Sequence, residues 1–178
     1  MSSELLDIVN EEDVVIDQQL RTKVHELGLW HRGVHVFLFT TDGKMLIQRR
    51  SADRASSPSL LDCSVSEHVK AGETYLEAAI RGMKEEMGVE GIEIKPLIKF
   101  RMKYGINDNE ISVLYQGIVN PTRVSFDPVE IESIQYLELH ELRTLVKAES
   151  SKFCGWFVEI LRAFDNEPCE GLQLLEKY

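Results

Sequence analysis

Between Tyr75 and Met87 the spacing of apolar residues changes from two to 3.6, and this change constrains the fold more than any other feature of the chain. Leu76, Ala79, Ile80, Met83 and Met87 make one stripe of a helix. Thr74 stands where an N-cap hydroxyl serves the first turn, and Gly88 where a helix ends. The flanking segments alternate as strands do. Residues 5–9 and 14–20 enclose the polar stretch 10–13 and predict a hairpin, about 5–20, at a sheet edge. Residues 34–40 and 45–48 enclose a Gly-bearing turn and predict a second hairpin, with 51–58 a polar loop. Further strands are expected at 92–94, 98–103, 111–119 and 134–138. A last amphipathic helix fits 153–164, with Phe153, Trp156, Phe157, Ile160, Leu161 and Phe164 on one side. Strands around one early and one late helix predict an α/β chain with a mixed sheet packed between helices.

Length and charge narrow the function classes. A chain of 178 residues, 43% of them hydrophobic, fills one core, so residues 1–178 are expected to form one domain. With 20 Lys and Arg against 30 Asp and Glu the net charge is −10, which argues against a sequence-independent grip on nucleic acid. A small anionic ligand stays open, because local cations or a bound metal override global charge. Cys63, Cys154 and Cys169 are far apart and predict free thiols, two of them buried. No apolar run approaches the roughly 20 residues that cross a bilayer, and the acidic opening is unlike a secretory leader. No membrane association and a cytoplasmic location are expected. The apolar N-terminal hairpin is a candidate homodimer edge.

The chemistry concentrates around the first helix. At about 100° per residue, Glu86 lies roughly 80° and Glu85 roughly 180° from the centre of the apolar stripe. Paired carboxylates on a rigid helix, entered through a Gly-containing loop, suit a hard divalent cation such as Mg2+. Arg81 is one turn before Glu85 and is expected to pair with it or with Glu73.

The whole segment 67–89 resembles the Nudix box, G-x5-E-x7-R-E-U-x-E-E-x-G-U with U aliphatic. Glu73, Arg81, Glu85, Glu86, Gly88 and Val89 fall in register with it. The resemblance implies a Nudix-type α/β/α sandwich with a mixed β-sheet, Mg2+ or Mn2+ as cofactor and a small-molecule diphosphate substrate. Two positions depart from the pattern: Glu67 stands at the box's first Gly, and Gly82 at the Glu after the Arg, usually a metal ligand. Glu67 and Glu110 are the candidates to replace the missing carboxylate, and Glu110, with Glu130 and Glu132 behind it, is the candidate general base.

The segment 62–68 also resembles type I isopentenyl-diphosphate isomerases. There His68 matches a metal-binding His, His25 and His31 fall near two more, and Asp108-Asn109-Glu110 resembles an E-x-E that supplies ligands and an acid. Ser66 holds the place of the catalytic Cys, and Trp156 that of a Trp facing the substrate. The opening at 7–15 is similar to isomerase-like Nudix hydrolases. The expected metal set is Glu85, Glu86, Glu67 and His68, with Glu85, Glu86 and Glu110 catalytic. Arg49, Arg50 and Arg54 are expected at the diphosphate. The leading expectation is a metal-dependent hydrolase of nucleoside-diphosphate-linked substrates. An isopentenyl-diphosphate isomerase and a diphosphate-binding module without turnover are the alternatives.

Overall fold

The computed structural model describes residues 4–178. The N-terminal hairpin forms, with β1 (Leu5–Val9) and β2 (Val15–Leu20) antiparallel, but as a two-stranded sheet of its own and not as an edge of the larger one. Asp13 in its turn fastens it to that larger sheet, accepting from Arg32 Nε at 2.6 Å and from Lys99 and Tyr75.

The chain continues through α1 (Arg21–Leu27), β3 (Trp30–Phe39), β4 (Lys44–Arg50), β5 (Leu61–Asp62), β6 (Val65–His68) and α2 (Tyr75–Met87). Then come β7 (Ile94–Gly105), β8 (Asp108–Ile118), β9 (Ile131–Glu138), α3 (Leu139–Ala148), α4 (Gly155–Phe164) and β10 (Leu172–Lys177). The main sheet runs β10-β7-β8-β3-β4-β5, with β6 also on β3 and β9 on β4. β3 and β8 are parallel and the other pairs antiparallel, so the sheet is mixed, as expected.

β3 shows why the fold is a sandwich. Successive strand side chains point to opposite faces. Val34, Val36 and Leu38 pack with Ala78, Ala79, Met83 and Met87 of α2. Phe37 and Phe39 pack on the other face with Phe157, Ile160 and Leu161 of α4. Each such side chain, buried fully, stabilises the fold by about 1.5–3 kcal/mol.

Several elements differ from expectation. β7 is one strand across residues predicted as two, bent by a bulge between Pro96 and Ile98. β3 starts at Trp30, four residues early, because residues 30–33 pair with β8. α1, α3, β10 and the short β5 and β6 were not expected. α1 buries only Val24, too little for a periodic signal, and β10 is exposed after its first residue. Cys63 and Cys154 are buried free thiols and Cys169 is half-buried. No helix among the described residues is long and apolar enough to cross a membrane.

Candidate metal centre

Four separate elements bring imidazoles and carboxylates to one point. His25 lies on α1, whose C-cap Gly28 (φ 65°) turns the chain back toward β3. His31 on β3 is directly opposite Glu110 on the parallel β8, and His68 ends β6, which pairs with β3 beside it. The ring centroids of His25, His31 and His68 are 5.0, 5.2 and 5.3 Å apart. Glu110 Oε1 is 3.6 Å from both His31 Nε2 and His68 Nε2, and Asp108 Oδ1 is 3.5 Å from His25 Nδ1. Gly33 makes room: a Cβ there would lie 1.9 Å from Glu110 Oε2.

Hydrogen bonding prepares these groups as ligands. His31 Nδ1 is 3.0 Å from the Leu29 carbonyl, which fixes its proton on Nδ1 and leaves the Nε2 lone pair pointing inward. His31 Nε2 and Asp108 Oδ1 are buried without a hydrogen-bond partner, which costs free energy unless a cation satisfies them. Among the described residues, the sets of three that approach within 4.8 Å are His25, His31 and His68, and His31, Asp108 and Glu110. Burial depresses His68 to about 3 and lowers His25, so both imidazoles stay neutral. Burial alone would raise Glu110, but His31 outweighs it and holds the carboxyl at about 2. Burial and the Glu110 charge push Asp108 up to about 6. His31 is raised despite its burial, because Glu110 faces it: the cluster favours a positive charge at this spot. The donor set and its two orphaned atoms fit a divalent cation.

The acidic helix lies on the opposite face of β6. Thr74 and Glu77 close a capping box, and Gly88 ends the helix at φ 63°. Arg81 holds both predicted partners and more, reaching Glu73, Glu67 and Glu85 at 2.9–3.0 Å and the His68 carbonyl at 2.7 Å. Glu86 is buried and accepts from Gln48 Nε2 at 2.8 Å and from Ser66 N–H. Burial, then the Glu67 charge, raises its carboxyl well above the usual range. Glu85 is half exposed.

Of the predicted metal set, Glu67, Glu85 and Glu86 therefore surround one end of α2, while the neighbouring His68 turns away into the imidazole cluster. Gly82 and Glu67 face each other where α2 packs on β6. A Cβ on Gly82 would lie 2.9 Å from Glu67 Cγ and 2.8 Å from Val65 Cγ1. Glu67 thus fills, from the facing strand, the space that Gly82 leaves beside the helix.

The predicted diphosphate cations all have partners within the chain. Arg49 donates to the Ser59 carbonyl, Arg54 pairs with Glu130, and buried Arg50 binds Asp62 and the Ser56 carbonyl. Trp156 lies under the Arg50 guanidinium and donates to Asp62 at 2.9 Å, which anchors α4 to β5. Glu132 is exposed. Asp108, His25 and His31 were not in the expected metal set, and only the isomerase resemblance pointed toward them.

A mixed sheet between helices, carrying a capped acidic helix behind an Arg-centred loop, defines a particular class of α/β/α sandwich. Residues 29–157 match the NUDIX domain model, and the chain belongs to the Nudix family. It is 33% identical to a Nudix hydrolase of Deinococcus radiodurans over 91% of this chain and 94% of that one. It is 29% identical to an isopentenyl-diphosphate Delta-isomerase of Serratia proteamaculans, over 89% and 90%. The crystal structure of the Deinococcus radiodurans protein DR0079 superposes with a TM-score of 0.78 at 32% identity, covering 90% of this chain and 98% of that one.

Proposed function

We propose that this chain hydrolyses a diphosphate bond in a small molecule, a nucleoside diphosphate joined to a second group, with a divalent cation held by His25, His31, His68 and Glu110. The observation that carries the cation is the pair of buried atoms without a hydrogen bond, His31 Nε2 and Asp108 Oδ1, 3.9 Å apart. When bound, a divalent cation polarises a phosphoryl oxygen and acidifies water. Asp108, beside His25 and His31, is the carboxyl placed to accept a proton from a water entering the site. The imidazole-rich set suits a transition-metal ion, among which Mn2+ is the one also at home with carboxylates such as Glu110, whereas the all-oxygen set Glu67, Glu85 and Glu86 suits Mg2+ beside the diphosphate. Arg49 and Arg54 face the phosphates in this reading, with Arg50 bracing the loop from behind. The exposed apolar row Val14, Val15 and Ile16 is the proposed homodimer edge, tested by sedimentation of an Ile16→Asp variant.

The test is release of phosphate or nucleotide from a diphosphate library with Mg2+ and Mn2+, using the unaltered protein, Glu110→Gln and Glu86→Gln. Each substitution should lower turnover by about 100-fold. Equal turnover by all three proteins overturns the reading, and metal binding without turnover identifies a binding module.

The His25, His31, His68 cluster also favours a second reading, isomerisation of isopentenyl diphosphate. Moving a double bond needs a proton donor and an acceptor flanking the carbon chain. Here Ser66 and Glu110, the candidates, are bridged by the protein's own side chains: Ser66 by His35, His35 by Tyr104, and Tyr104 through Ser112 to Glu110. Incorporation of solvent deuterium into isopentenyl diphosphate would restore this reading, and its absence favours hydrolysis.

A further inference from the structure

The same bridge has a direction that proton bookkeeping fixes. Ser66 Oγ is 3.0 Å from His35 Nδ1, and His35 Nε2 is 2.8 Å from Tyr104 Oη. Tyr104 Oη is 3.1 Å from Ser112 Oγ, which donates to Glu110 Oε2 at 3.0 Å. An ionised carboxylate only accepts, so the single Ser112 proton is committed to Glu110. Tyr104 must then donate to Ser112, and must itself accept from His35 Nε2–H. A neutral His35 has its lone pair on Nδ1, where the Ser66 hydroxyl donates. His35 and Ser112 are 3% and 0% exposed, so water can reach the links only at half-buried Ser66 and Tyr104. At the far end Cys63 Sγ lies 3.2 Å from Ser66 Oγ, with the Val65 carbonyl as its acceptor. Burial keeps His35 neutral and Tyr104 protonated, as the one-way chain requires.

We propose that His35 and Tyr104 are positioning residues for Glu110: their ordered chain of donors pins Oε2 through Ser112 and leaves Oε1 facing His31 and His68. This rests on the reading of Glu110 as a cation ligand. Because the chain starts at Ser66, whose backbone N–H donates to Glu86, it also ties the β6 end of the acidic helix to the imidazole cluster.

Two measurements test it, with Tyr104→Phe as the variant and Ser112→Ala as the alternative should the first fail to fold. Nitrogen NMR of 15N-histidine-labelled, metal-free protein should show His35 as the neutral Nε2–H tautomer. A protonated ring or the Nδ1–H tautomer overturns the proposal, whether or not metal binds. Titration with Mn2+ followed by electron paramagnetic resonance should show affinity reduced about 10–100-fold in Tyr104→Phe. Unchanged affinity in the variant, alongside binding by the unaltered protein, also overturns it. If the unaltered protein binds no Mn2+, the cation reading fails by itself, and the histidine tautomer alone decides the chain's direction.

Discussion

Two glycines decide where carboxylates can stand. Gly33 gives Glu110 its place, since a Cβ would lie 1.9 Å from Oε2. Gly33→Ala is therefore expected to cut Mn2+ affinity at least tenfold, measured by calorimetry. Gly82 yields its space to Glu67, so Gly82→Glu alone overpacks the contact with β6 by about 1–3 kcal/mol. Thermal denaturation should show a fall of about 2–4 °C per kcal/mol, and Glu67→Gly in the same molecule should recover only part of it, because the Val65 contact remains. Two pH responses follow from charge. In the metal-free protein Asp108 should titrate at about 6, read by carboxyl-carbon NMR, and Asp108→Asn should remove that transition. Burial alone would raise Glu73, but hydrogen bonds from Arg81 and the Lys70 N–H hold its carboxyl below the usual 4.5. A depressed carboxyl contributes stability above 4.5 and loses it as pH falls through the lowered value. The destabilisation by Glu73→Gln, followed by urea unfolding, should accordingly be present at pH 7 and shrink in acid. At this scale Glu85 and Glu73 as partners of Arg81 were legible in the sequence, and Glu67 and the His68 carbonyl were not. Nor was the contact of Glu67 with Gly82, because nothing in the one-dimensional pattern says that strand β6 lies against that turn of α2.

Helix α2 was legible end to end because every local signal agrees: an N-cap with its capping box, a 3.6-residue stripe and a left-handed C-cap. Thr74→Ala should cost about 1 kcal/mol, which circular dichroism melting can resolve. Helix α1 is the opposite case. It has seven residues, one buried side chain and no capping side chain, and it is held from outside. Asn109 Nδ2 donates to the Gly28 carbonyl and Asn107 Nδ2 to that of Glu26, so the β7–β8 turn clasps the helix end. Those contacts join residues some eighty positions apart, beyond the reach of a local window. α3 carried a readable stripe in Leu139, Leu142 and Val146, yet its N-cap is Glu138, an unusual capping residue directly continuous with β9.

Over the whole molecule, sheet and sandwich were legible in outline, and the pairing of β3 with β8 was not. That parallel pairing assembles the imidazole–carboxylate centre from residues 25 to 110, and its partners carry no mutual sequence mark beyond the family likeness. A cation bound only by the folded chain adds stability by mass action, about 2.7 kcal/mol at a hundredfold excess over its dissociation constant. Saturating Mn2+ should raise the melting temperature by several degrees, and a chelator should reverse the rise.

The pleat of β6 sets adjacent side chains, Glu67 and His68, to serve opposite sides of the molecule. A one-residue insertion before Glu67 would exchange their destinations, delivering an imidazole to Arg81 and an acid among the histidines. Natural variation along this strand should consequently admit changes of residue type while refusing changes of length.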